Sequence, residues 1–206
     1  MHQIRLHVYK MLALAAAAAA LVLVNGSASA MAQDHVYFLG YYANANTPGA
    51  PDGTLRLAND ANVSDTSPAG DLCASIYVFD NRERIAECCT CKVTPNGYLS
   101  LSVNQALTSD PLGGGPQKLT RGLIKVLSSA RQSEYCDPTH PVLKRGIRAW
   151  ITHPEALATK GQYSLSVEQL TDSTLGSPEL ADLPEDCGVI LELDVGGICD
   201  CTDSGR

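Results

Sequence analysis

The eight cysteines of this 206-residue chain restrict its architecture more than any other residues do. Five of them stand in two tight clusters, Glu87-Cys88-Cys89-Thr90-Cys91 and Cys199-Asp200-Cys201. An even number of cysteines in an exported protein predicts a set of disulfide bonds. Spacing alone does not choose among the many pairings that eight cysteines allow. The candidate disulfide residues are Cys73, Cys88, Cys89, Cys91, Cys136, Cys187, Cys199 and Cys201.

The clusters limit which pairings are geometrically natural. Neighbouring side chains of an extended strand point to opposite faces, so Cys89 and Cys91 share a face that Cys88 does not. Cys199 and Cys201 also share a face if their segment is extended. One natural arrangement bridges the two clusters and ties the C-terminal tail to the central hairpin. The alternative is a four-thiolate zinc or copper site, but zinc sites favour cysteines separated by about two to four residues. The spacing therefore favours structural disulfides and predicts no metal.

The N-terminus has the three parts of a secretory signal peptide. Two basic residues precede an apolar run over residues 11–24, and Ala28-Ser29-Ala30 provides a small-residue cleavage site. This run of 14 residues is shorter than the roughly 20 residues of a membrane-spanning helix. We therefore predict that residues 1–30 are a signal peptide, cleaved after residue 30 or 32. The protein is then secreted, or lies in the periplasm or cell envelope.

Residues 31–206 are predicted to form a single β-rich domain with a C-terminal cysteine tail. Without the signal peptide, the chain has 13 basic and 22 acidic residues, a net charge of −9. Such a surface repels phosphate backbones and anionic lipids. The charge therefore argues against nucleic-acid binding, and the sequence predicts no stable membrane insertion after signal cleavage. The partner is unknown from the sequence, with a protein or a glycan as a candidate.

Short runs of β-type residues between turn residues dominate the chain after residue 34. Several alternate apolar and polar residues, as half-buried strands do. One short helix is predicted, with Ser177 as its N-cap and Pro178 at its first helical position. The predicted fold class is all-β and mainly antiparallel, a disulfide-stapled β-sandwich or barrel with one short helix. The nine candidate strands are residues 35–41, 54–57, 75–79, 87–93, 98–103, 122–128, 146–152, 163–170 and 189–195.

Residues with catalytic chemistry are sparse after the predicted signal peptide. The histidines there are His35, His140 and His153, and neither Gly-x-Ser-x-Gly nor His-Glu-x-x-His occurs. An exported hydrolase or metalloenzyme would use His140 and His153 with a nearby carboxylate, and it requires that both histidines converge on one pocket. The absence of any catalytic motif favours a non-catalytic protein, so we assign no catalytic residue and no cofactor.

Three segments resemble a known group of sequences. Leu72–Asp80, Glu87–Cys91 and Gly197–Cys201 are similar to segments of uncharacterised exported proteins of soil bacteria, chiefly acidobacteria. The resemblance implies a bacterial envelope or extracellular protein and no particular activity. We therefore expect an exported, non-catalytic β-sandwich with a surface, binding or structural role, which an apolar or aromatic patch on one sheet face would support. A thiolate metal-binding envelope protein is the remaining alternative.

Overall fold

Ten strands arranged in two antiparallel sheets form the fold in the computed structural model, which describes residues 35–60, 70–113 and 118–201. The predicted signal peptide lies outside these residues. The strands are β1 (Tyr37–Tyr42), β2 (Thr54–Asn59), β3 (Leu72–Asp80), β4 (Ile85–Val93), β5 (Tyr98–Ser102), β6 (Gly122–Ala130), β7 (Val142–Leu143), β8 (Ile147–Ala156), β9 (Tyr163–Gln169) and β10 (Thr171–Asp172).

The two sheets are open and pack face to face. The first sheet has the strand order β10–β1–β6–β3–β4, with β7 added to β6, and the second has the order β5–β2–β8–β9. Apolar side chains from both sheets, such as Ile76 and Leu55, meet in one buried cluster. The architecture is therefore a sandwich, and the barrel alternative does not apply.

Alternation along the strands builds a core on each side of the first sheet. In β3, Ile76 and Val78 point into the space between the sheets, whereas Tyr77 and Phe79 lie in a second cluster on the outward face. Because both faces are covered, β3 is buried over its whole length. Burying apolar surface on two sides gives this strand a central place in the stability of the fold.

The outward face of the first sheet is covered by α1 (Ser177–Leu193). Its buried residues Leu183, Cys187 and Ile190 recur at helical spacing and form one stripe. They pack against residues of the first sheet that include Tyr77 and Leu127. No helix in the described parts of the chain is long and apolar enough to cross a membrane.

The helix differs from its prediction at both ends. Gly176 occupies the N-cap position, so Ser177 is the first helical residue and caps nothing with its side chain. The predicted strand over residues 189–195 is wrong, because most of this segment continues α1. The alternating apolar residues there are exposed. Packing of Ile190 and the covalent bond of Cys187 to β4 hold the segment in the helix, and this tertiary context overrides its strand-like pattern.

The mainly antiparallel, disulfide-bonded β-fold is otherwise confirmed. The other eight candidate strands coincide with observed strands to within a few residues at their ends. The sequence did not predict the two-residue strands β7 and β10, nor the π-helical turn Val103–Leu107 that follows β5. That turn begins after Ser102, whose hydroxyl accepts a hydrogen bond from the Gln105 N–H at 2.8 Å.

Candidate functional site

The cysteines form four disulfides, and none of them is free. Two of the bonds join the two cysteine clusters, which is the arrangement that ties the C-terminal tail to β4. A third bond fastens α1 to the same strand. The pairs are Cys73–Cys136, Cys88–Cys187, Cys89–Cys199 and Cys91–Cys201.

Strand alternation in β4 sorts the bonds to opposite faces. Cys88 points outward and meets Cys187 of α1, whereas Cys89 and Cys91 point into the space between the sheets. The tail runs parallel to β4 along its open edge: the Cys88 N–H donates to the Gly197 carbonyl at 2.7 Å, and the Cys199 N–H donates to the Cys88 carbonyl at 3.1 Å. The tail therefore covers an edge of the first sheet that would otherwise be unpaired.

A glycine allows the tail to approach so closely. Gly197 has a φ of +88°, and a Cβ at this position would lie 2.9 Å from Cγ2 of Ile190. Side chains other than hydrogen rarely adopt this φ and have no room here. The Gly197 N–H also donates to the Asp110 carbonyl at 2.6 Å, so β4, the loop at Asp110 and the tail are joined at one point.

The cysteines that the thiolate metal hypothesis requires are oxidised to disulfides. The sulfur atoms of Cys89, Cys91 and Cys201 lie within 4.8 Å of one another, close enough to share an ion if they were thiolates. The Cys89 and Cys91 sulfurs are 3.9 Å apart, nearer than the spacing of two residues along a strand suggests. Each of these sulfurs is bonded in a disulfide, however, and only a deprotonated thiol is an effective metal ligand.

The two histidines of the hydrolase hypothesis lie in different surroundings. His140 is on an exposed loop, where its Nδ1 is 2.8 Å from the Thr139 hydroxyl and 3.3 Å from Asp137 Oδ2. It borders a hollow beside α1. His153 is buried in β8 of the second sheet, and its ring lies against Tyr41 at a centroid distance of 4.3 Å. His153 does not line the hollow that His140 borders.

His153 is a buried polar residue whose ring nitrogens lack hydrogen bonds within the described residues. Oε1 of Glu155 is 3.5 Å from its Nε2. Leaving a buried polar group unpaired costs about 1–3 kcal/mol. Replacing His153 by an aromatic ring without polar atoms keeps the contact with Tyr41 and removes that cost.

We therefore expect His153→Phe to stabilise the fold by about 1–2 kcal/mol. The change is measured as the free energy of unfolding in urea, with His140→Phe as the control, because His140 is exposed and its replacement should leave stability within about 0.5 kcal/mol of the wild type. A clear loss of stability in His153→Phe would show that the imidazole nitrogens are satisfied after all.

A hollow with positive charge lies where the β3–β4 turn meets the segment before β6. It has a volume of about 840 Å³, within the usual range of small-molecule sites. We name it the basic hollow, after the four cationic side chains in its lining, which are Arg82, Arg84, Lys118 and Arg121. Apolar residues, among them Ile85 and Leu112, complete its walls.

One acidic side chain, Asp80, lines the basic hollow and is already engaged. Its Oδ2 accepts hydrogen bonds from Nε and Nη2 of Arg84 at 2.9 and 2.6 Å, and its Oδ1 accepts from the N–H groups of Arg82 and Arg84. Burial alone would raise the pKa of Asp80, but these hydrogen bonds outweigh it and hold the pKa below its ordinary value. Asp80 and Arg84 thus neutralise each other, which leaves Arg82, Lys118 and Arg121 as the net charge of the hollow.

A buried carboxyl group follows the basic hollow's lining residue Ala86 in sequence. It belongs to Glu87, which is fully buried. Its Oε1 accepts a hydrogen bond from the Asp110 N–H at 3.0 Å, while Oε2 has no partner among the described residues. Burial raises the pKa of Glu87 to about 7; the hydrogen bond from Asp110 opposes the rise and the charge of Asp110 adds to it. The Glu87 carboxyl group is therefore partly protonated near neutral pH.

The outward face of the second sheet carries several exposed apolar side chains. The strand registers place Arg56 beside Trp150, and Tyr98, Leu165 and Val167 on the same face. Tyr98, Leu165 and Val167 expose 58%, 55% and 68% of their surface. Leu165 and Val167 are neighbours on β9, whereas Tyr98 lies on β5 at the opposite edge of the sheet.

Comparisons with known proteins assign no family. No family model matches the chain, and no curated protein is similar to it in sequence. The fold is similar to the crystal structure of Thermotoga maritima 1070, with a TM-score of 0.41 and 10% identity over 69% of this chain and 97% of that one. The resemblance to exported acidobacterial proteins stays a prediction.

The basic hollow could not be predicted from the sequence, because its residues form no recognisable local motif. Arg82 and Arg84 are in the tight turn between β3 and β4, whereas Lys118 and Arg121 precede β6. No spacing within either segment distinguishes these cations from ordinary surface residues. Only the pairing of β3 with both β4 and β6 brings the two segments together.

Proposed function

We propose that the chain is an exported, non-catalytic β-sandwich that binds an anionic ligand in the basic hollow. The observation that carries the proposal is the set of three cationic side chains there, Arg82, Lys118 and Arg121, which have no acidic partner among the described residues. The rest of the protein is acidic, with a formal net charge of −7 over the whole chain. A local excess of positive charge against that background attracts an anion.

The chemistry of the cations favours a ligand with carboxylate or phosphate groups. A guanidinium group presents a planar fork of donors that matches either anion in two-pronged hydrogen bonds. The volume of about 840 Å³ accommodates a ligand of several rings, such as a short chain of acidic sugars. A glycan of this kind agrees with the class of partner that the charge of the chain leaves open.

Export and location in a bacterial envelope belong to the same proposal. Four disulfides in one domain are typical of proteins that fold in an oxidising compartment. The sequence pattern of residues 1–30 is that of a cleaved signal peptide. N-terminal sequencing of the protein recovered outside the cytoplasm tests this part, and a chain that still begins at Met1 would contradict it.

Titration calorimetry with a trimer of galacturonic acid tests the proposed ligand class. We expect binding to the wild type that weakens as salt is added, because exposed charges are screened within about 10 Å at 0.1 M salt. The Arg82→Ala/Arg121→Ala variant should lose at least about tenfold in affinity, since each two-pronged pair is roughly twice as strong as a neutral hydrogen bond.

Three controls make the result specific. Arg145→Ala removes an exposed arginine outside the basic hollow and should leave the affinity unchanged. Maltotriose has the size of the acidic trimer without its charge, and inorganic phosphate has charge without its size. Equal binding of maltotriose and the acidic trimer, or equal affinities of the Arg82→Ala/Arg121→Ala variant and the wild type, would overturn the proposal.

A further inference from the structure

Among the described residues, no other strand pairs with the backbone groups on the outer edge of β9. The Leu170 N–H donates to the Ala149 carbonyl, and the Leu157 N–H donates to the Gln162 carbonyl. The even-numbered residues of this hairpin strand therefore direct their backbone groups toward β8, and the odd-numbered residues direct theirs away from it. The outward groups belong to Tyr163, Leu165, Val167 and Gln169.

This edge has one feature that protects a sheet from pairing with another chain, the charged residue Glu168, and lacks the others. Proteins cover such edges or place lysine, proline or a bulge in them. The tail covers the edge at β4. β9 is seven residues long, contains neither lysine nor proline, and exposes Leu165 and Val167. No backbone group of β9 is bonded to anything other than β8 and its connecting turn in the described residues.

The sequence of β9 is complementary to itself when it is read in the opposite direction. An antiparallel pair with its axis at Ser166 places Leu165 opposite Val167, and Ser164 opposite Glu168. Opposing apolar residues stabilise a sheet, while like charges that face each other destabilise it. Glu168, the acidic residue of the strand, does not meet its own copy in this register.

We propose that two copies of the chain pair through β9 about a two-fold axis at Ser166, joining their second sheets into one continuous sheet. The backbone geometry agrees with this register, because the outward groups of Leu165 and Val167 then form hydrogen-bonded pairs across the axis. All seven residues of the strand take part, with about eight inter-strand hydrogen bonds. The exposed Leu165 and Val167 of both copies form one apolar cluster on the outward face.

Sedimentation velocity over a concentration series tests the proposal with the full mature chain. We expect the wild type to shift from monomer to dimer by about 100 µM, which corresponds to a modest interface. Val167→Lys should stay monomeric, because two lysines would face the apolar residues across the axis. Val189→Lys replaces a valine of similar exposure on α1 and should dimerise like the wild type.

A cysteine at the axis tests the register. Residues that face each other in a pair without hydrogen bonds have Cα atoms about 4.5 Å apart, which is within the range of a disulfide. Ser166→Cys should therefore give a covalent dimer on oxidation, whereas Ser164→Cys should not, because Ser164 meets Glu168.

Each of the following results would overturn part of the proposal, and none depends on the anionic ligand. A wild type that stays monomeric at the highest concentration, or a Val167→Lys variant that still dimerises, overturns the pairing through β9. A dimer in which Ser164→Cys crosslinks and Ser166→Cys does not overturns the register. Since β9 contributes no residue to the basic hollow, loss of the dimer and loss of ligand binding can be told apart in the same variants.

Discussion

We expect loss of the Cys73–Cys136 disulfide to destabilise the protein more than loss of Cys91–Cys201, although the first spans 63 residues and the second 110. In the chain-entropy account, a disulfide stabilises according to the loop that it closes in the unfolded chain, given the bonds already present. The neighbouring bond Cys89–Cys199 leaves Cys91–Cys201 a ring of only roughly six residues to close, which is worth about 2 kcal/mol. Cys73–Cys136 has no such neighbour, and its loop is worth about 4 kcal/mol.

The comparison uses Cys73→Ala/Cys136→Ala and Cys91→Ala/Cys201→Ala, with free energies of unfolding measured in guanidinium chloride. The two variants are well matched, since each removes one buried and one partly buried cysteine. Equal losses, or a larger loss for Cys91–Cys201, would mean that packing of the sulfur atoms outweighs restriction of the unfolded chain.

The second large effect is a dependence of stability on pH that originates at Glu87. Its pKa is about 7 in the folded protein, against an ordinary value of 4.5. Between these pH values the unfolded chain has lost the proton and the folded protein keeps it. The free energy of unfolding therefore falls as pH rises from about 4.5 to about 7, and then levels off. The difference in pKa corresponds to about 3 kcal/mol.

Glu87→Gln should remove this dependence, because glutamine resembles the protonated carboxyl group and keeps the acceptor for the Asp110 N–H. We expect the variant and the wild type to be equally stable near pH 4, and the variant to be more stable by about 3 kcal/mol at pH 8. Urea unfolding at a series of pH values measures the difference. Glu134→Gln, which alters an exposed residue, provides the control. A variant that is less stable than the wild type at pH 8 would contradict burial of an uncompensated charge at Glu87.

Features that depend on strand alternation were predictable from the sequence. The opposite orientation of Cys88 and Cys89 follows from their adjacency in a strand, and the bonds of β4 go to opposite faces as that rule requires. The same alternation wrongly predicted a strand at residues 189–195, where most of the segment is helical. A covalent bond from Cys187 and a packed Ile190 decided the conformation, and neither is visible in the local pattern.

The basic hollow and the burial of Glu87 could not be predicted from the sequence for a related reason. The basic hollow joins two segments that are about 35 residues apart, and buried Glu87 accepts a hydrogen bond from Asp110, which is distant in sequence. Charge counted along the chain indicates an acidic protein without specific sites. The grouping of like charges is a property of the strand order, which sequence periodicity does not determine.

The pairing of β4 with the end of the chain affects how the protein can mature. A ribosome produces Cys88, Cys89 and Cys91 well before Cys187, Cys199 and Cys201, so three neighbouring thiols exist for a time without any of their native partners. Cys73–Cys136 is the one native disulfide that can form while the last fifth of the chain is missing. Wrong pairings among the early thiols are corrected by exchange, which takes seconds to hours. We therefore expect maturation of the protein to depend on a disulfide isomerase as well as on an oxidant.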